Sequence, residues 1–185
     1  MISGCAAPDS DSKDKWNSGK TDMYIHVDLP TQTLSLFNET GDAVIESRVS
    51  TAKNGPGEIN NSFCTPRGWH KIRAKIGDGL PVNSVLIARR PTEEIYSAEL
   101  RKDNPDRDWI LTRILWLSGL EPNFNRLGDV DTMRRYIYIH GCPDEDPMGV
   151  ESSSGCIKMR NDEVVELFDR VDVGTLVYIN EQVSA

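Results

Sequence analysis

The sequence predicts a mainly β domain of the sandwich or barrel-like class, and three observations predict it. Apolar and polar residues alternate with period two along most apolar segments, clusters of Gly, Pro, Asn and Asp separate those segments, and helical periodicity is confined to two short stretches. With 185 residues and 38% hydrophobic content, the chain suffices for one domain with a substantial core and leaves little for a second.

Residues 1–21 read as a tether, because Ala6 to Lys20 offers one aromatic, Trp16, among Pro, Asp, Ser, Lys, Asn and Gly. From Met23 the alternation begins, with strands expected at Tyr24–Val27, Leu34–Phe37 and Val44–Val49, and with turns at Asp28–Thr31 and Asn38–Asp42. Further strands are expected at Trp69–Ile76, Ser84–Arg89, Trp109–Leu117 and Tyr136–Ile139. Pro91–Leu100 reads as a short helix. Asn161–Arg170 reads as the clearest one, with Asn161 as N-cap, Asp162 and Glu163 at the positive end, and Val164, Val165, Leu167 and Phe168 as its apolar face.

Charge and hydropathy exclude several functions. A net charge of -8 without a basic cluster argues against nucleic acid as a partner. No apolar run approaches the roughly 18–20 residues of a membrane-spanning helix. No His-Glu-x-x-His, paired Cys-x-x-Cys, carboxylate triplet or glycine-rich phosphate loop occurs, so neither a metal nor a cofactor is expected. At the start of the chain, Ile2-Ser3-Gly4-Cys5 resembles the end of a bacterial lipoprotein signal without its charged and apolar regions. Cys5 is then either a lipidation site, the only route to a membrane, or an incidental residue of a leader.

The most chemically specific stretch is Ser153-Ser154-Gly155-Cys156-Ile157-Lys158-Met159, downstream of the His140-Gly141 pair that closes Tyr136-Ile137-Tyr138-Ile139. A cysteine that attacks a carbonyl needs an imidazole to take its proton and backbone N–H groups aimed at the developing oxyanion. A small-residue turn supplies such N–H groups, and Gly155 lets it bend tightly. Strand alternation puts Tyr136, Tyr138 and His140 on one face and turns Ile137 and Ile139 to the core. His26 and His70 lack any such setting and read as structural or exposed. The turn-rich segment Ser118–Asp129, between two strands, reads as a flap over the pocket.

These residues resemble the active-site signature of the L,D-transpeptidases, the YkuD-like enzymes that remodel bacterial peptidoglycan. There a strand ends in His-Gly, and Ser-His-Gly-Cys follows after a loop. Thr65-Pro66-Arg67-Gly68-Trp69 is similar to the family's Thr-Pro-x-Gly turn, and Val173-Gly174-Thr175-Leu176-Val177-Tyr178-Ile179 resembles its closing Gly-Thr-x-Val strand. The resemblance implies a YkuD-like β-sandwich or barrel-like domain of mixed sheets with a few short helices over residues 22–181, followed by a tail at 182–185.

It also implies roles. Cys156 would be the nucleophile, His140 the general base, and the Gly141 carbonyl the group that orients the imidazole. The N–H groups of Ser154, Gly155 and Cys156 would hold the oxyanion, and Lys158, Ser153 and Tyr138 would meet the substrate. The implied reaction cleaves the bond before the terminal D-alanine of a peptidoglycan stem peptide, forms a thioester on Cys156, and passes the acyl group to an amine of another stem or a wall lipoprotein. Hydrolysis of the same thioester would make a carboxypeptidase or a lipoprotein hydrolase, and a silent wall-binding protein is the non-enzymatic alternative. A carbapenem would acylate Cys156 in the active forms, and the resemblance implies a bacterial envelope location, in the periplasm. Three departures stand out: Ser154 where histidine is common, Lys158 for Arg or Asn, and Cys142 where Thr is frequent. Cys142 could pair with Cys64 in an oxidising envelope, though spacing leaves the connectivity open.

Overall fold

The structure, a computed structural model, describes residues 23–181. The expectations placed on residues 1–21, Cys5 among them, and on 182–185 lie outside the described residues. Ten strands form one mixed sheet: β1 Tyr24–Asp28, β2 Thr33–Phe37, β3 Ala43–Arg48, β4 Gly68–Ile76, β5 Ser84–Ile87, β6 Arg90–Ile95, β7 Ile110–Gly119, β8 Tyr138–Gly141, β9 Ile157–Met159 and β10 Leu176–Asn180. Its order is β3-β2-β1-β10-β4-β7-β5-β6, with β8 hydrogen-bonded to β7 and β9 to β8. Most neighbours are antiparallel, whereas β1 with β10 and β8 with β9 run parallel. The mainly β, mixed-sheet architecture is therefore as the sequence and the resemblance imply.

Strand β7 is the branch point. Its C-terminal half pairs with β4, its start pairs with β5, and β8 pairs alongside from Leu111 to Trp116. The chain just after β3 then bridges back to β9: Ser50 N–H donates to Lys158 O at 3.0 Å, and Lys158 N–H donates to Ser50 O at 2.9 Å. The sheet thus wraps towards closure, which shelters one core. Ile25, Leu34, Ile72, Leu115, Leu117, Ile139, Ile157 and Val177 enter it from the strands, and Val164, Leu167 and Phe168 enter it from a helix. Burying side chains of this size contributes roughly 1.5–3 kcal/mol each, the dominant favourable term in the fold.

That helix, α2 (Asn161–Arg170), follows the short helix α1 (Ala98–Asp103). Val164, Leu167 and Phe168 form its buried face, while Val165 is half-buried. Two sequence expectations need correction. Pro91–Ile95 belongs to strand β6, because Ala88 and Arg89 both take positive φ, 46° and 66°, and close a two-residue hairpin that forces the chain back along β5. Helix α1 starts only at Ala98, where the Ser97 hydroxyl caps by accepting from Leu100 N–H at 3.1 Å. In α2 the N-cap is Arg160 and Asn161 is the first helical residue, its carboxamide being engaged elsewhere.

Candidate active site

Parallel pairing of β8 and β9 builds the site. Ile139 lies opposite Ile157 and His140 opposite Lys158, so Tyr138, His140, Cys156 and Lys158 share a face while the isoleucines fill the core. His140 is 1% exposed. Its Nδ1 lies 2.8 Å from the carbonyl oxygen of Gly141. A carbonyl only accepts, so Nδ1 carries the proton and Nε2 keeps the lone pair. Burial pushes the His140 pKa below the ordinary range, opposed by the Gly141 hydrogen bond, and the ring is neutral at pH 7.

Cys156 is half-buried against the cluster of Leu86, Ile114 and Tyr138. Its sulfur receives the Tyr138 N–H at 3.4 Å, and its thiol points to Tyr136 O at 3.5 Å. No hydrogen bond joins it to His140 among the described residues. Desolvation pushes the Cys156 thiol up to about 12, with the Tyr138 N–H, Lys158 and Arg135 pulling the other way. Burial therefore favours a thiol on Cys156 beside a neutral His140 imidazole. The apolar wall outweighs the one N–H donor, and the proton has to leave as the sulfur attacks.

The turn before the cysteine is held from both sides. Ser153 is 2% exposed, and its hydroxyl donates to Cys156 O at 2.6 Å and accepts from Gly155 N–H at 3.2 Å. The Thr65 hydroxyl of the Thr-Pro turn donates to Gly155 O at 3.0 Å and accepts from Ala52 N–H at 3.0 Å. Gly155 has φ 122°, and a Cβ there would sit 3.1 Å from Ile137 Cδ1 and 3.2 Å from Cys64 O, so only glycine fits. Two expectations change as a result. Ser153 is spent inside the turn instead of facing substrate, and the Gly155 N–H is already engaged. The N–H groups of exposed Ser154 and of Cys156 meet no acceptor among the described residues and are the donors left for an oxyanion.

Lys158 is also not free. Its side chain is 13% exposed, and its ammonium lies 3.3 Å from Asp146, which also accepts from Arg101 at 2.8 Å. Asp146 has captured the charge that the sequence offered to a substrate. Cys64 and Cys142 carry free thiols: Cys142 is buried against Met159 O and Met148, and Cys64 points to Asn54 O. Burial pushes Cys142 up to about 11. The segment read as a flap begins inside β7 at Ser118 and Gly119. Its remainder is built on fully buried Asn125, which donates to Arg67 O and Trp69 O and receives the Glu121 N–H. Among the described residues its hydrogen bonds reach neither Cys156 nor His140.

Several supports escaped the sequence. Asn161 accepts from the Thr112 hydroxyl at 2.5 Å and donates to Cys142 O at 2.8 Å, so its carboxamide lies directly under Gly141. A Cβ on Gly141 would strike that carboxamide and the Leu111 carbonyl. Thr112 reaches it from a bulge in β7 with φ 69°, an uncommon conformation for a β-branched residue. Half-buried Arg135 donates to Gly57 O, Glu58 O and Cys64 O and ties the Thr-Pro loop to the site. A helix opening with Asn and a Gly-Asn-rich loop are weak signals, and these contacts arise only from tertiary placement.

Comparison with known proteins identifies relatives of this fold. The chain is similar to YqjB of Bacillus subtilis (strain 168), assigned by name to the L,D-transpeptidases, with 51% identity over 43 residues, 23% of this chain and 24% of that protein. In fold it is similar to an L,D-transpeptidase from Mycobacterium smegmatis, with a TM-score of 0.52 and 20% identity over 86% of this chain and 58% of that one. It is also similar to L,D-transpeptidase 3 from Mycobacterium tuberculosis in complex with a faropenem-derived adduct, with a TM-score of 0.54 and 14% identity over 86% of this chain and 60% of that one. The chain thus spans less than two thirds of each of these proteins. Residues 22–179 match the YkuD family of L,D-transpeptidase catalytic domains, and it is to this family that the chain belongs.

Proposed function

We propose that this domain is a cysteine-dependent acyltransferase that uses Cys156 on peptidoglycan stem peptides. The observation that carries the reading is the His140 ring, locked by the Gly141 carbonyl so that Nε2, the basic nitrogen, is left without a partner on the face it shares with Cys156. Rotation of the thiol away from Tyr136 O brings its proton to that nitrogen. The sulfur attacks the carbonyl before the terminal D-alanine, and the oxyanion is met by the Ser154 and Cys156 N–H groups. Collapse breaks the C–N bond, His140 returns the proton to the departing D-alanine amine, and a thioester remains. An amine attacks it, loses its proton to His140, and the thiol is restored. The acceptor is a second stem or a wall lipoprotein; water in its place gives the carboxypeptidase. The setting is the bacterial envelope, with Cys5 as a lipid anchor if it is processed.

Intact mass after incubation with a purified tetrapeptide stem tests this. A gain equal to the donor less D-alanine is expected on the wild type and not on Cys156→Ala. Cross-linked dimers among the products mark transfer, and shortened stems mark hydrolysis. A carbapenem is expected to add one drug mass at the same residue. Cross-linking retained by Cys156→Ala, or drug labelling at Cys64 or Cys142, would overturn the reading.

A further inference from the structure

With Lys158 bound to Asp146, the proposed site lacks the cation that a peptide ending in a carboxylate calls for, and the tip of the β5–β6 hairpin supplies one. Arg89 holds its guanidinium carbon 4.6 Å from the centre of the Trp116 ring and 4.7 Å from that of Tyr136, and donates to the Tyr138 hydroxyl at 2.9 Å. Among the described residues no carboxylate pairs with it, in a chain of net charge -8. Tyr138 links it to the reaction centre, since the same residue gives its amide N–H to the Cys156 sulfur and accepts from Arg89 on its hydroxyl oxygen. Tyr136 does so again, with its ring under Arg89 and its carbonyl facing the thiol. A second cation, exposed Arg73, lies 5.4 Å from the Trp116 ring centre, and it too forms no ion pair.

We propose that Arg89 anchors a carboxylate of the acyl donor, and that this is the terminal carboxylate of the D-alanine leaving group. The inference rests on the stem-peptide reading above. One residue, about 3.8 Å between successive Cα atoms, separates the scissile bond from that terminus, so the charge of a donor seated on Cys156 stays within one residue of the reacting carbon, among the side chains that line the site. Guanidinium suits the place better than ammonium. Laid across two neighbouring rings it is held in place before substrate arrives, and after one N–H is given to Tyr138 its planar fork still presents donors to a carboxylate. The positive φ of Arg89 fixes the hairpin tip in the conformation that lays the side chain across the rings. Arg89 is thus a specificity residue: it favours donors that end in a free D-alanine over those whose terminus is blocked.

Binding measured on the full chain carrying Cys156→Ala separates this from the proposed chemistry. Three synthetic tetrapeptide stems serve as probes: one ending in D-alanine, one in D-alaninamide, and one amidated on the diamino-acid side chain's carboxylate with a free terminus. Titration calorimetry is expected to show the free acid binding at least tenfold tighter than the terminal amide, with the side-chain amide close to the free acid. Adding Arg89→Gln is expected to remove that preference, and Arg89→Lys to keep part of it, with circular dichroism unchanged in both. A preference that survives Arg89→Gln, or none at the outset while all three peptides bind, overturns the role of Arg89 and leaves the stem-peptide reading intact. Discrimination against the side-chain amide instead overturns the choice of carboxylate. Failure of every peptide to bind overturns the stem-peptide reading, and this inference with it.

Discussion

His70 and His140 are sealed from water alike, at 0% and 1% exposure, and each directs Nδ1 to a backbone carbonyl, yet they differ at the other nitrogen. His70 Nε2 lies 3.1 Å from the Thr132 hydroxyl, so the ring is fully partnered between β4 and the segment before β8. His140 Nε2 is left open on the face that carries Cys156. Burial alone therefore does not distinguish a structural imidazole from a reactive one; an unspent lone pair beside a nucleophile does. Burial lowers both pKa values, to about 4 for His70, which keeps both rings neutral and leaves only His140 able to accept a proton.

Substitution should separate the two roles. His140→Ala or His140→Asn is expected to cut the acylation rate by roughly two to four powers of ten with little change in melting temperature, as loss of a general base would. Near-normal rates in single-turnover assays would place the base elsewhere. His70→Ala is expected to do the reverse, costing about 2–3 kcal/mol in urea unfolding by emptying a buried, hydrogen-bonded position while the rate per folded molecule holds. A lost rate with unchanged stability would end the contrast.

Acid sharpens it further. His70 binds its proton near 4 when folded and near 6.5 when unfolded, so its contribution to stability is complete above pH 6.5 and is lost as pH falls towards 4. The expected slope is about 1.4 kcal/mol per pH unit within that window, and His70→Ala should flatten the denaturation profile by that amount. Equal slopes for the two proteins would mean that His70 is not buried neutral. The smallest effect concerns Lys158. Because Asp146 keeps Arg101 as a partner, Lys158→Met is expected to cost about 1 kcal/mol or less and to leave the donor KM unchanged. A raised KM would return Lys158 to the substrate.

The strands were legible wherever alternation met a turn signal, as from Tyr24 to Arg48 and again at Gly68–Ile76. Pro91-Thr92-Glu93-Glu94 misled because a proline followed by acids is also how helices begin. What decided it was the hairpin at Ala88–Arg89, whose two positive φ values belong to residues that rarely advertise them. At the site, motif spacing pointed to Cys156, His140 and Gly141, and a short-range rule sufficed because the Nδ1 contact joins adjacent residues. Lys158 and Ser153 were misread because their partners, Asp146 and the turn's own backbone, are chosen by tertiary packing. Arg89 was missed for the same reason, since its rings come from β7 and the lead into β8.

Strand β10 lies between β1 and β4, although it is the last of the described strands. Apart from the Ser50–Lys158 bridge to β9, the meander of β1 to β3 joins the rest of the sheet through Leu176–Asn180. One short segment completes the pairing of the two half-sheets, and the contacts it makes, Tyr24 with Leu176 through Asp28 with Asn180, span nearly the whole domain. Pairings this distant in sequence slow folding. Closure of the described sheet therefore comes late, when β10 docks between strands made far earlier in the chain.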